Sequence, residues 1–303
     1  SREILRSESS PEILEKENES IWFVGDQVIK YNRDKNFILD RVERSKILNG
    51  YVPPVLAYNE NMYSYRFIEG SILSKINTPL IFSKFLKYLK GFWNPYTLDE
   101  KESKEFKQAC YQFYKKKTEK RVKLYFDKMS EIDTPSIIND ENIPTVSDLL
   151  DKIDWNWLST GNPTRVHGDL HFENTVLAEN GEFYLLDWRQ NFGGIKEYGD
   201  VYYDLAKILH GLEVSHELIN KNHFSVCKNN NITRFDLYRK YSLVENEKMF
   251  MDFLKMNNFD IQKVRILTSL VYLNIAPLHH YPYNLLLFHL GKFNLYTLLK
   301  EKV

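Results

Sequence analysis

Cysteine is scarce: Cys110 and Cys227 are the only thiols in 303 residues. They lie far apart and lack metal-ligand spacing, which excludes a disulfide framework or a zinc module and leaves buried thiols in a reducing cytosol as the expectation. Net charge is missing as well. Forty-one basic and forty-one acidic residues cancel, so no overall field draws the chain to nucleic acid or to an anionic membrane. Apolar runs such as Leu285–Phe288 are short, far below the roughly 18 residues of a membrane span, and no signal peptide is visible. A cytoplasmic protein with neither membrane nor nucleic acid as partner is expected. The start at Ser1 rather than Met suggests a domain fused or linked to another. Aromatic residues are plentiful, with 20 Tyr, 19 Phe and 5 Trp, and they argue against disorder. The length suffices for a sizeable core and two lobes.

The informative stretch is His167-Gly168-Asp169-Leu170-His171, with Asn174 five residues after Asp169 and Asp187 thirteen further, in Leu185-Leu186-Asp187-Trp188. Between Asn174 and Asp187, Thr175–Ala178 and Phe183–Leu186 are β-rich and flank Glu179-Asn180-Gly181-Glu182. Asn-Gly between such runs predicts a hairpin with a two-residue type I′ turn, since both central residues need positive φ. That register sets Asn174 opposite Asp187, with Cβ atoms roughly 4.5–5.5 Å apart. An amide oxygen and a carboxylate so placed are hard ligands able to share one Mg²⁺. Asp169 then stands beside the metal. An ordinary hairpin with polar loop residues is the bland alternative.

His-Gly-Asp-x-His-x-x-x-Asn followed by Leu-Leu-Asp-Trp resembles the catalytic core of the aminoglycoside phosphotransferase and choline kinase family, small-molecule relatives of protein kinases. The resemblance covers most of the chain and is strongest from Val166 to Leu212. It implies an α+β, bilobal, protein-kinase-like fold: a small antiparallel-sheet lobe over 1–69 that binds nucleotide, and a larger, mostly helical catalytic lobe over 70–303. Asp169 matches the catalytic aspartate that accepts or orients the acceptor's hydroxyl proton, and Asn174 and Asp187 match the metal ligands. The implied activity moves the γ-phosphate of ATP, or of another nucleoside triphosphate, to a hydroxyl of a small molecule with Mg²⁺. Phosphoryl transfer needs little covalent help, so holding the nucleophile in line and neutralising charge suffice. A pseudokinase-like binding or adaptor protein is the competing reading; the complete Asp169, Asn174 and Asp187 set argues against it.

The resemblance also orders the rest. Ile21–Val24 and Val28–Tyr31 read as a hairpin around Gly25-Asp26-Gln27, with Val28 and Lys30 on one face. Lys30 corresponds to the lysine that reaches the α- and β-phosphates, and Val28 would lie against the adenine. A helix over Asp34–Gly50 presents Ile38, Val42, Ser45 and Leu48 inward. Glu43 on it is the expected carboxylate partner of Lys30, ahead of Glu60. Backbone groups of Arg66, Phe67 and Ile68 would meet the adenine. No Gly-x-Gly-x-x-Gly precedes Lys30, so the phosphate-covering loop falls to Glu15–Ser20, with Asn18 or Ser20 donating, or to Ser7–Ser10. Helices are expected over most of Ser71–Asp154, including the stripe Phe82, Phe85, Leu86, Leu89, with a loop over Asp133–Pro144, and again over Phe235–Lys255 and Asp260–His279. Asp200 and Asp204, in Gly-Asp-x-x-x-Asp, are expected as structural supports. Arg189, His171 and Trp188 are candidate acceptor contacts. An arginine after Asp187 suits anions, which favours a sugar or hydroxy acid over an amino alcohol such as choline; its competing role is a local ion pair with Glu197.

Overall fold

The computed structural model describes residues 18–300. β1 (Glu19–Val24) and β2 (Gln27–Asn32) form the first hairpin, closed by Gly25 at φ +60° and Asp26. Helix α1 (Lys35–Ile47) follows, its first N–H groups capped by the Asp34 carboxylate, and it buries Ile38, Val42, Ser45 and Leu48 as the spacing predicts. β3 (Val55–Tyr58) and β4 (Met62–Arg66) complete an antiparallel four-stranded sheet in the order β1-β2-β4-β3. On β2 the alternation holds: Val28 and Lys30 are buried together.

β5 (Gly70–Ile72) leaves that sheet and pairs instead with Val176–Ala178. Then come α2 (Leu73–Ile76) and α3 (Pro79–Phe92), whose stripe Phe82, Phe85, Leu86 and Leu89 is buried. α4 (Glu100–Tyr111) opens on a capping box at Asp99 and Glu102, and runs through a π turn (Gln112–Lys116) into α5 (Lys117–Met129). The remaining elements are β6 (Ser136–Ile138), β7 (Glu141–Ile143), α6 (Val146–Asp151), α7 (Trp155–Leu158), β8 (Pro163–Thr164), β9 (Thr175–Ala178), β10 (Phe183–Leu185) and β11 (Gly199–Asp200). After them follow α8 (Val201–Glu213), α9 (His216–Asn220), β12 (Phe224–Asn229), β13 (Ile232–Leu237), α10 (Tyr241–Met256), α11 (Ile261–Ile275) and α12 (Tyr283–Lys300). The architecture is the expected mixture: an antiparallel N-terminal sheet and a helical remainder.

Two local expectations fail. Asp133–Pro144 is not a loop but β6 and β7, which join β12 and β13 in a second four-stranded sheet of order β12-β13-β6-β7. The supposed helix from Phe235 begins only at Tyr241, because Phe235 lies in β13 opposite Val226.

Helix α8 is buried from Val201 to Leu212 and packs against α10 and α11. A helix enclosed on all sides should be apolar all round. Asp204, Lys207 and His210 interrupt it at steps of three, and so share the face that looks onto the catalytic loop. No helix among the described residues is long and apolar enough to cross a membrane.

Candidate active site

The loop that carries His167, Asp169 and Asn174 runs between β8 and β9 and is held by side chains of α8. Asp204 accepts hydrogen bonds from the backbone N–H groups of His167 and Gly168, both at 2.8 Å, and from Trp93 Nε1 at 3.1 Å. Burial raises its carboxyl to about 6, and these donors oppose the shift. Asp200 caps α8 at the Tyr202 N–H and also accepts from Asn162 N–H at 2.9 Å and Tyr114 Oη at 2.7 Å. Both aspartates are fully buried.

Gly168 has φ +83°, and a Cβ there would stand 2.7 Å from Arg189 Cβ, so the turn before Asp169 requires glycine. His167 Nε2–H donates to the Leu186 carbonyl at 2.8 Å while its Nδ1 accepts from the Asp169 N–H at 3.2 Å. That tautomer is neutral, and burial pushes the ring down to about 3.

Asp169 presents its carboxylate to Lys207 Nζ at 2.8 Å. Burial works against its charge, but Lys207, His171 and Arg189 together hold the carboxyl well below its usual range. Lys207 was not among the residues picked out in the sequence. Its signal was a lone cation in the apolar run Leu205-Ala206-Lys207-Ile208-Leu209. His171 extends from the same loop toward Glu173, Nδ1 to Oε2 at 3.2 Å, and its Nε2 lies 4.0 Å from Asp169 Oδ2. Asn174 Nδ2 donates to the Asp169 carbonyl at 3.0 Å.

The catalytic hairpin differs from its expected register by one residue. Leu177 pairs with Phe183 and Thr175 with Leu185, so the loop holds three residues, Glu179–Gly181. The Gly181 N–H bonds the Ala178 carbonyl at 2.9 Å, and of Asn180 and Gly181 only Gly181 has positive φ, at +84°. This is the turn-plus-glycine-bulge solution rather than type I′. Asn174 therefore opposes Leu186, whose N–H bonds its carbonyl at 2.7 Å. Asp187 sits one residue beyond the ladder, at φ +56°. The left-handed turn aims its carboxylate at Lys30, with Arg41 Nη1 at 3.2 Å from the same oxygen.

Three further expectations are corrected. Glu43 does not meet Lys30; it pairs with Lys196, because residues 41 and 43 point to opposite sides of α1. Arg41, stacked 4.7 Å from the Phe37 ring centroid, is what α1 turns toward the site. Glu60 pairs with Lys35. Trp188 is not an acceptor contact. It is fully buried among Tyr63 and Tyr65, its Nε1–H on the Arg41 carbonyl at 2.9 Å.

Arg189 does not pair with Glu197; its Nε donates to the Gly168 carbonyl at 3.0 Å. The Phe67 N–H is taken by the Asp26 carbonyl at 2.7 Å, and Arg66 ends β4 opposite Gln27. Asn18 is an exposed turn residue whose carbonyl accepts from the Arg33 N–H at 3.1 Å, and Ser20 lies in β1 opposite Tyr31. Glu15–Glu17 and Ser7–Ser10, the other candidate covering segments, fall outside the described residues.

The fold is that of small-molecule kinases built on the protein-kinase plan. Residues 126–220 match the model of the phosphotransferase enzyme family. The chain is similar to a choline kinase of Cryptosporidium parvum, at 13% identity and a TM-score of 0.55 over 96% of this chain and 88% of that one. It is similar also to a thermostable mutant of an aminoglycoside phosphotransferase in ternary complex with AMP-PNP and hygromycin B, at 13% identity and a TM-score of 0.51 over 96% and 93% of the two chains. The LicA homolog of Mycoplasma capricolum is 24% identical over 204 residues, 67% of this chain and 69% of that protein. The resemblance read from the His167–Asn174 and Leu185–Trp188 segments is borne out.

Proposed function

We propose that the chain is an ATP- and Mg²⁺-dependent phosphotransferase that acts on a hydroxyl of a small molecule. The observation that carries this reading is the Asp169 carboxylate, kept ionised by Lys207 on a loop shared with Asn174. The acceptor's hydroxyl oxygen attacks the γ-phosphorus while the bond to the β–γ bridging oxygen breaks. ADP leaves with that electron pair, and the hydroxyl proton passes to Asp169. Lys30, buried on β2 beside Val28, is assigned to the nucleotide's α- and β-phosphates, with the adenine near Arg66, Phe67 and Ile68.

Asn174 and Asp187 suit a hard divalent ion. They offer oxygen donors, and Asn174 spends its N–H₂ on Asp169, which leaves its Oδ1 as an acceptor. Bound there, Mg²⁺ supplies charge neutralisation on the transferring phosphate.

The test is ADP release with Mg²⁺, ATP and a panel of hydroxylated metabolites. Asp169→Asn should lower turnover by roughly 10²–10⁴ in a protein that still folds and still binds AMP-PNP. EDTA should abolish release in the wild type. A folded Asp169→Asn protein with wild-type turnover contradicts the assignment and favours a binding or adaptor role for the fold.

A further inference from the structure

The acceptor side of Asp169 carries more positive charge than the reaction needs. Lys207 is balanced by Asp169 itself. Lys117 and Arg189 form no ion pair among the described residues, and both lie against the same two rings. Lys117 Nζ is 4.1 Å from the Phe113 centroid and 5.3 Å from that of Tyr203, and Arg189 Cζ is 5.3 and 5.9 Å from them. Lys117 Nζ also donates to Tyr203 Oη at 3.5 Å. Arg121, one turn along α5, is half-buried on the same side. Among the described residues no carboxylate forms an ion pair with Lys117, Arg121 or Arg189.

The cost of this arrangement is visible in the groups themselves. Burial, then Arg189 and Lys207, push the Lys117 ammonium well below its usual range, and burial and Arg189 lower Arg121. Desolvated cations without counter-ions are unfavourable. Lys117 and Arg121 line a cleft of about 550 Å³ with Phe113, Lys116, Lys120 and Gly193. A π turn runs directly into Lys117, an irregularity common at functional sites. Arg189 joins the cleft to the reacting centre: its Cζ lies 5.3 Å from the centroid of the cleft's Phe113 while its Nε donates to the Gly168 carbonyl beside Asp169.

Building on Asp169 as the proton-accepting group, we propose that the acceptor is itself an anion: a small hydroxylated molecule whose phosphate or carboxylate seats on Lys117, Arg121 and Arg189 while its hydroxyl meets Asp169. Unpaired cations here repel a quaternary ammonium acceptor. The covalent step is the transfer already described, and the anionic group remains unchanged through it.

The experiment compares matched acceptors: glycerol, glycerate and glycerol 3-phosphate; glucose, glucuronate and glucose 6-phosphate; and choline, each with Mg²⁺ and ATP. An anionic member should exceed its neutral counterpart in kcat/KM by about 10- to 100-fold, as expected for charge-assisted contacts. Arg121→Gln and, separately, Lys117→Gln should erase most of that preference by raising KM, and carboxylate against phosphate is decided by which anion leads. Should no member turn over, the same set is scored by melting-temperature shift on protein loaded with Mg²⁺ and AMP-PNP. Stabilisation by the anionic member alone, lost in a folded Arg121→Gln protein, supports the proposal. Preference for choline or a neutral sugar, a preference untouched by either variant, or equal or absent stabilisation overturns it. ADP release that still depends on Asp169 would then leave the phosphotransferase reading standing.

Discussion

Lys207 tunes Asp169, the residue proposed to take the acceptor's hydroxyl proton. Its ammonium is the strongest of the charges that counter burial at Asp169. In Lys207→Met that support is gone, the folded Asp169 carboxyl rises, and the base is protonated over a wider acidic range. The acidic limb of kcat against pH should therefore move to higher pH, measured from pH 4 to 8; an unmoved limb contradicts the role. Of these residues, Asp169, Asn174 and Asp187 were legible because their types and spacing are local in sequence. Lys207, Arg41 and Lys117 were not, because nothing local says which side chain of a helix will face a loop contributed by a distant segment. Trp188 is hidden for the same reason: the backbone turns left-handed at Asp187 and the indole lies inside, and no residue beside it announces the turn.

Elements were legible where their pattern was self-contained. The α1 and α3 stripes and the β1–β2 hairpin follow from spacing alone. β6 and β7, three residues each, pair with each other and are anchored through β6 on β13 some ninety positions away, and the β12–β13 hairpin turns on Asn230-Asn231, a weak signal beside the helical pattern that follows. The slipped catalytic hairpin shows that an Asn-Gly pair fixes the presence of a turn without fixing its length. Gly181→Ala should cost roughly 1–2 kcal/mol from the left-handed backbone alone, since no atom lies within 4 Å of the added Cβ. Arg44 was another residue the pattern hid. It is buried in α1 and donates to the Val166 carbonyl and, at 2.8 Å, to that of Lys196, tying α1 to the segment that leads into His167–Asp169. Arg44→Met strands those carbonyls and should lower the free energy of unfolding by about 1–3 kcal/mol. Urea denaturation reads both; an unchanged midpoint in either variant contradicts the corresponding account.

At the scale of the molecule, acid should unfold this protein readily. His167 is held down to about 3, His279 and His289 to about 4, and His210 well below its usual range, all chiefly by burial. The unfolded chain takes up protons at these rings near pH 6.5, whereas the folded one does not, so stability falls as pH drops from about 6.5 toward 4. Glu213, raised to about 7, and Asp204, raised to about 6, act in the opposite sense but are fewer. Below pH 4.5 Glu173, depressed to about 2 because its histidine neighbours outweigh burial, adds to the loss. Urea midpoints taken from pH 7.5 to 4.5 should decline steadily, and a flat or rising series contradicts the burial of neutral histidines.

The most direct measurement of the central claim is ³¹P NMR of the protein with Mg²⁺, ATP and the acceptor panel. The account predicts a phosphomonoester resonance that grows in step with ADP in the wild type and is missing in Asp169→Asn and Asp187→Ala. Inorganic phosphate as the sole product, or an equal phosphomonoester signal from either variant, would contradict it.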